Sequence, residues 1–259
     1  MKNLLIVLAL LMSTKLQALA QSSSVQKSDS IIIAVSPYVA PYVIQKNDSG
    51  IQLEIIKAAF KNQGINNISI EYMSNKRAEY QLNNGAIDVA MNHSNFYLPG
   101  IYVSKRILNY QNVVISLLKN NYTINSVYDL SEKSILAFQH APAYLPHSFK
   151  LALYKVSSYE EVINQRAQVD HLMKGWVDTI ILDKRIFLYY LNEYRQTNET
   201  SHVAIHSIFP EAPRPAYFNS KVLQEIFDEG LTNIIENGQY HSILINLEAQ
   251  YAQNPEVSN

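Results

Sequence analysis

The sequence predicts an α/β protein of two domains, each built on a mostly parallel sheet with helices on its faces. Apolar β-branched runs and helical stripes alternate as β-α-β-α-β over the first third of the chain, and the middle third repeats this alternation. The length of 259 residues lies where single cores tend to divide. A hydrophobic content of 47% against 17% charged residues argues for packed cores and against disorder.

The first third opens with a β-branched run over residues 31 to 35, which is typical of a strand buried on both faces. A helical stripe follows over residues 51 to 63, and Gly64 stands where a C-cap glycine belongs. The remaining elements of this part are a strand over residues 68 to 72, a helix over 76 to 83 and a strand over 87 to 91.

A second α/β pattern follows an apolar strand over residues 111 to 118 and the turn-forming stretch from Lys119 to Asn125. Its elements are strands over residues 134 to 138, 179 to 182 and 203 to 208, and helices over 159 to 173 and 185 to 194. After a proline-rich break, two helices are expected between Ser220 and Ala249. We expect the chain to cross between the two domains near Lys119 and again near Ile208. This predicts a discontinuous domain 1 (residues 21 to 118 and 209 to 259) into which domain 2 (residues 119 to 208) is inserted.

Residues 1 to 20 have the layout of a secretory signal peptide. Lys2 precedes an apolar run over residues 4 to 12, and Ala18 and Ala20 provide small residues before the expected cleavage point. This run is short for a membrane span, which needs about 20 residues. The chain contains no cysteine, which excludes disulfides, thiolate metal sites and a lipidated N-terminal cysteine. We therefore expect a soluble periplasmic protein.

Four stretches stand out in order along the chain: SPYVAPY at residues 36 to 42, GIQLEIIKA at 50 to 58, LNNGAIDVAM at 82 to 91 and IFDEGLTNIIENGQY at 226 to 240. Together they resemble the periplasmic solute-binding proteins of family 3, which serve polar amino acid ABC transporters. The resemblance extends over nearly all of the chain after the signal peptide. It implies a type II periplasmic binding protein-like fold, in which two hinge strands join two lobes that close on a ligand.

At the ligand-binding positions the chain departs from the family pattern. In the family an arginine after the third strand clamps the ligand carboxylate, and the matching position here is Tyr97. The small-residue loop of the second lobe is also altered, since Pro142 has no N–H to donate. Asn92 and, within that loop, His140 are further candidate ligand-binding residues.

Asp183 matches the acidic residue that receives a ligand ammonium in the family. Because this cation-holding residue is retained while the anion-holding ones are altered, we hypothesise that the ligand is not a standard α-amino acid. An amine or another polar molecule packed against Tyr38 and Tyr42 is one interpretation, since an aromatic face attracts an ammonium by about 0.5 to 2 kcal/mol. The alternative is that both tyrosines are half-buried surface residues.

Arg77 resembles an arginine found in some branches of the family. It either enters the cleft and binds an anionic group, which would restore an acidic or zwitterionic ligand, or pairs with Glu79 or Glu71 on the surface. Trp176 is expected to pack in a core or between domains. Asp88 and Asp178 are interpreted as residues that orient the backbone.

The expected function is capture of a small polar ligand for an inner-membrane permease, by a monomer without cofactor. The net charge of -1 argues against a nucleic-acid partner. Isolated histidines such as His93 and His140 do not have the spacing of a metal site. No catalytic triad or paired carboxylates indicate an enzyme. A sensing adaptor for a membrane receptor, and a dehydratase-like enzyme on the same fold, are the alternatives.

Overall fold

A computed structural model describes residues 30 to 91 and 99 to 250, together with the backbone of residues 257 and 258. Its strands are β1 (Ile31–Val35), β2 (Ile68–Tyr72), β3 (Val89–Ala90), β4 (Tyr102–Val103), β5 (Leu108–Tyr110), β6 (Asn112–Leu117), β7 (Ser134–Phe138), β8 (Ser158–Val162), β9 (Thr179–Asp183), β10 (Val203–His206), β11 (Ala212–Arg214), β12 (Tyr217–Phe218) and β13 (Val257–Ser258).

The α-helices of the described residues follow in chain order, and the two C-terminal ones pack with the first. They are α1 (Ile51–Asn62), α2 (Asn75–Asn83), α3 (Ala141–Tyr144), α4 (His147–Ala152), α5 (Gln165–Met173), α6 (Lys184–Arg195), α7 (Lys221–Glu236) and α8 (Gln239–Ala249). No helix in the described part of the chain is long and apolar enough to cross a membrane.

The strands form two main sheets. The first has the order β2-β1-β3-β12-β4, in which β1, β2 and β3 are parallel and β12 is antiparallel to both of its neighbours. The second has the order β13-β10-β6-β9-β7-β8, with β7, β8 and β9 parallel and β6 antiparallel to β9 and β10. The predicted α/β class is therefore confirmed, but both sheets are mixed and not mostly parallel, since β12 in the first and β6 in the second run antiparallel to both of their neighbours.

A small antiparallel ladder of β5 and β11 lies where the chain passes between the main sheets. The first passage is at Gln111, between β5 and β6, and the second runs from Ser207 to Glu211, between β10 and β11. Since β6 hydrogen-bonds within the second sheet, the first passage lies before β6 and not near Lys119. The division into domains stays a prediction, and sheet membership would move its first boundary to Gln111.

One predicted element is wrong in part. The helix expected over residues 159 to 173 begins only at Gln165, and residues 158 to 162 form β8, an edge strand parallel to β7. The side chain of Asn164 accepts a hydrogen bond from the Arg166 N–H and so caps the helix start. Ladder pairing with β7 therefore decides the conformation of a segment whose polar composition had no strand signature.

Helices α1 and α7 pack at close range on the first sheet. A Cβ added at Gly230 would lie 2.1 Å from the carbonyl oxygen of Ala59, so only glycine allows this approach. Around this contact Phe60 and Phe227 have ring centroids 5.3 Å apart. One connected core runs from α1 and α7 to strands β6 and β9 of the second sheet.

Candidate functional site

A buried hydrogen bond joins the loop after β1 to the second sheet. The Tyr42 hydroxyl donates to Asp183 Oδ1 over 2.8 Å, and Tyr42 is fully buried. Tyr42 is positioned by backbone bonds of its carbonyl to the first turn of α1, and Gly50 precedes that turn with a Cβ position only 2.5 Å from the Tyr42 oxygen. Two of the predicted ligand-binding residues thus contact each other.

Asp183 ends β9 and caps α6. Its Oδ1 also accepts the N–H groups of Arg185 and Ile186, at 2.9 and 3.1 Å, while Oδ2 accepts the Gln111 N–H at 2.7 Å. Burial raises the pKa of Asp183, and the hydrogen bonds from Tyr42, Ile186 and Gln111 lower it by less. With 2% exposure, the carboxylate is largely occupied by the protein, and Oδ2 has the greater free accepting capacity.

An aromatic stack continues from Tyr42 towards the passage between the sheets. Tyr42 and Tyr110 have ring centroids 4.1 Å apart and an interplanar angle of 13°. The guanidinium carbon of Arg214 lies 4.5 Å from the Tyr110 centroid, within the range of a cation–π interaction. The Tyr110 hydroxyl donates to Gln52 Oε1 over 3.4 Å. We call Tyr42, Gln52, Tyr110, Asp183 and Arg214 the buried cluster.

A cavity of about 430 Å³ adjoins this cluster beside the passage strands. The Arg185 guanidinium donates to Glu248 Oε1 at 2.6 Å and to the Asn109 carbonyl at 3.3 Å, which links α6 to the end of α8. The cavity is lined by Gln111, Asp183, Lys184, Arg185, Leu188, Ser207, Glu211 and Glu248.

The other predicted site residues are spread more widely. Tyr38 is 57% exposed, and its carbonyl accepts from Gln165 Nε2 at 3.5 Å. Arg77 is exposed on α2, and no described residue forms an ion pair with it, so the alternative of a pair with Glu79 or Glu71 is not observed, while its entry into the cleft stays a prediction. Asn92 and Tyr97 lie outside the described residues, as do His93 and the predicted signal peptide.

His140 is exposed and has a left-handed φ of 62° at the start of α3. Its N–H donates to Glu161 Oε2 over 2.7 Å, so this backbone donor is already used by a side chain of β8. Its place in the ligand site stays a prediction. Across the described ranges no cluster of three metal-ligating side chains occurs.

The aspartates interpreted as structural do bond the backbone. Asp88 Oδ2 accepts the Ile32 N–H at 2.8 Å, and Asp178 Oδ2 accepts the Ser134 N–H at 2.8 Å. The expectation for Trp176 is wrong, because the indole is 63% exposed. It lies under Lys174, 4.6 Å from the ammonium, at the end of α5.

Sequence reasoning did not identify Gln52, Tyr110 or Arg214. Gln52 was hidden inside an amphipathic helix, and Arg214 in a segment interpreted only as a break. A signal for Arg214 existed in the PRP sequence at residues 213 to 215, since an arginine held between two prolines has little backbone freedom.

Neither family models nor curated protein sequences match this chain. Many solved structures do. An ancestral arginine-binding protein bound to glutamine matches with a TM-score of 0.66 and 18% identity, covering 85% of this chain and 98% of its own. The arginine-, lysine-, histidine-binding protein ArtJ from Geobacillus stearothermophilus matches with a TM-score of 0.64 and 14% identity, covering 87% and 97%.

The ancestral amino acid-binding protein AncCDT-1, a precursor of cyclohexadienyl dehydratase, matches with a TM-score of 0.64 and 16% identity, covering 84% of this chain and 95% of its own. These matches extend over nearly the full length of each solved protein. At such low identity the likeness concerns the fold. The chain therefore has the two-lobed α/β fold of the periplasmic amino acid-binding proteins, which confirms at the level of fold its resemblance to family 3.

Proposed function

We propose that this protein is a periplasmic solute-binding protein that captures a small polar ligand, amino acid-like or an amine, between its two α/β halves. Each half consists of one main sheet and the helices that pack on it. The observation that carries the proposal is the Tyr42–Asp183 hydrogen bond of 2.8 Å, which connects the two sheets at the residues that the sequence assigns to ligand binding. The fold supports this proposal, since each of the three solved structures described above is named as an amino acid- or arginine-binding protein.

The geometry is suited to closure on a ligand. Two short passages, at Gln111 and from Ser207 to Glu211, join the main sheets, and few backbone torsions need to change for the halves to move. Polar contacts that bridge the halves, such as Arg185 with Glu248, are of a kind that can be broken and remade at small cost because they are partly solvated. A binding protein that closes about a hinge replaces such contacts with contacts to the ligand, and the ligand thereby favours the closed state.

A thermal-shift screen of the purified protein tests this proposal. The panel contains amino acids, polyamines, dicarboxylates, sugars and small peptides. A ligand that binds only the folded state at 100 times its dissociation constant adds about 2.7 kcal/mol to the free energy of unfolding. A hit should also lower the radius of gyration in solution scattering. If no compound of any class raises the midpoint, a solute-binding role loses its support.

Delivery to an ABC transporter is the finer part of the proposal, with an inner-membrane permease as the partner. Cells that lack the gene should lose uptake of the radiolabelled hit. Unchanged uptake together with a lost transcriptional or motility response to the same compound would favour the alternative, an adaptor for a membrane receptor.

An enzyme is the second alternative, and the dehydratase precursor among the structural matches supports keeping it. We propose binding without turnover, because the carboxylate of Asp183 is occupied by four protein donors, which leaves it little capacity to act as a general acid or base. After prolonged incubation the hit should be recovered unchanged by mass spectrometry. Appearance of a dehydrated product would establish catalysis.

A further inference from the structure

Arg214 is a buried cation that has no anionic partner among the residues that the structure describes. Its side chain and backbone are 8% exposed overall, and the guanidinium lies over the Tyr110 ring, 4.5 Å from the centroid. Among the described residues no carboxylate pairs with it, and its guanidinium donates no hydrogen bond to them. A buried charge without partners is costly, so its retention calls for an explanation.

A second donor without an acceptor, the side-chain amide of Gln52, contacts the hydroxyl of Tyr110. Gln52 is fully buried at the start of α1, and its Nε2 has no acceptor. The amide is placed by the Tyr110 hydroxyl, which donates to Oε1, and by the backbone bond from the Gln52 N–H to the Tyr42 carbonyl at 3.0 Å. A buried amide N–H that makes no hydrogen bond costs about 1 to 3 kcal/mol of folding free energy.

The surplus of donors is confined to this place. The other unpartnered buried polar atoms of the described chain are all acceptors, namely Gln81 Oε1, Asn109 Oδ1 and Gln168 Oε1. Asn109 is next to Tyr110 in β5, but alternation along a strand directs its side chain to the opposite face. Arg214 lies over the ring of Tyr110 and Gln52 lies at its hydroxyl, so two donors without an acceptor among the described residues adjoin this tyrosine and are complementary to an anionic group.

We propose that Arg214 and Gln52 hold a carboxylate of the ligand, a role that rests on the solute-binding function proposed above. The planar guanidinium can donate two parallel hydrogen bonds to a carboxylate, and the Gln52 amide a third. This pair takes the place of the clamp that is missing at Tyr97. The stack of Arg214, Tyr110 and Tyr42 ends at Asp183, so one ligand could present a carboxylate to Arg214 and an ammonium to Asp183.

The test compares wild-type protein with Arg214→Met and with the matched control Arg106→Met, which removes an exposed arginine. Three probes separate the sources of affinity: L-glutamine carries both charged groups, succinate has carboxylates without an ammonium, and putrescine has ammonium groups without a carboxylate. Affinities are measured by calorimetry, and midpoints of unfolding are measured without ligand.

We expect binding of at least one of the carboxylate probes, weakened about tenfold or more by Arg214→Met and unchanged by Arg106→Met. Tenfold corresponds to about 1.4 kcal/mol. Arg214→Lys keeps the charge but not the planar pair of donors, and should give an intermediate loss of affinity. Succinate binding without glutamine binding would identify an organic acid as the ligand, and the reverse an amino acid.

The ligand-free protein gives an independent readout. Replacing an uncompensated buried cation with an apolar side chain of similar length should leave the midpoint of unfolding equal or higher. A lower midpoint would show that Arg214 is a paired structural residue and would overturn the proposal. If Arg214→Met does not fold, Gln52→Met provides the same comparison at the second donor.

Outcomes of the screen also separate the two proposals. Binding of putrescine or a sugar, but of no carboxylate, would refute the role of Arg214 and leave solute binding intact. Equal affinity of wild type and Arg214→Met for a carboxylate would do the same. Failure of every probe and of the wider panel would remove both.

Discussion

At the scale of single residues, Tyr42 has the largest number of roles. Its ring stacks on Tyr110, its hydroxyl bonds Asp183, and its carbonyl accepts from the first turn of α1. Burial, followed by the neighbouring Asp183 charge, raises the pKa of Tyr42, so the hydroxyl stays a donor to the carboxylate throughout the physiological range.

We predict that Tyr42→Phe lowers the free energy of unfolding at pH 7 by about 1 to 3 kcal/mol, because Asp183 loses a donor while remaining buried. The pKa of Asp183 is already raised by burial and should rise further. A carboxyl with a raised folded-state pKa favours folding at low pH and loses that contribution as the pH rises through the folded pKa.

The deficit of Tyr42→Phe should therefore shrink as the pH is lowered from 7 to 5 in denaturant titrations. Tyr72→Phe is the matched control, since it removes a hydroxyl that bonds the exposed Asp48. An effect of equal size in both variants would show that Asp183 does not depend on Tyr42.

Asp178 shows the opposite dependence on pH. Burial raises its pKa, but hydrogen bonds from Ser134 and Tyr122 outweigh this, and the net shift is downward. Asp178→Asn should lower the free energy of unfolding by about 1 to 2 kcal/mol at neutral pH. This difference between wild type and variant should disappear as the pH falls below about 3.9, because the wild-type carboxylate is then protonated. Asp170→Asn, which alters only a surface pair with Lys174, should change stability by less than about 0.5 kcal/mol.

Sequence reasoning at this scale succeeded where a residue type has one dominant use. Asp88 and Asp178 bond the backbone as interpreted, because an aspartate before a strand has few other partners. It could not show that Tyr42 and Asp183 bond each other, since they are 141 positions apart in the chain. Nor could it show that Arg214 has no counter-ion in the described part of the chain, since burial and pairing depend on the whole fold.

At the scale of elements, hydrophobic periodicity was the reliable signal. The amphipathic stripes of α1 and α7 and the β-branched runs of β1 and β9 were located within one or two residues. Very short strands such as β4, β11 and β12 were missed, because two or three residues contain no period and are fixed by their neighbours in the sheet.

The contact between α1 and α7 allows a sharp prediction. Alanine is favoured over glycine inside a helix by about 1 kcal/mol. At position 230 its methyl group would have to lie 2.1 Å from the Ala59 carbonyl oxygen, which forces the helices apart. We expect Gly230→Ala to lower the free energy of unfolding by about 1 to 3 kcal/mol despite the gain in propensity.

Urea unfolding measures this effect, with Glu229→Ala as control because it is exposed on the same helix. A Gly230→Ala protein as stable as Glu229→Ala would mean that α1 and α7 are packed more loosely than the structure indicates.

At the scale of the whole molecule, the halves have separate sheets but share the cluster of buried residues that joins them. One connected cluster of buried residues includes Ile33 and Phe60 of the first half and Val113 and Leu182 of the second. A shared core couples the unfolding of the parts that it joins.

We therefore predict one thermal transition, with coincident midpoints by near-ultraviolet and far-ultraviolet circular dichroism. Calorimetry should give equal calorimetric and van't Hoff enthalpies. Two separate transitions would show that each half has a self-sufficient core, as sequence alone suggested when it placed a complete domain between residues 119 and 208.

Trp176 is the only tryptophan of the chain, and it stands in water at the far end of α5. Its fluorescence will thus be that of a hydrated indole in the native as well as in the denatured protein, and the emission maximum should shift little on unfolding. Eighteen tyrosines, among them Tyr42 and Tyr110 of the buried cluster, make phenolic absorbance the more informative optical reporter. A cysteine-free background also leaves every position open to a single thiol-linked dye.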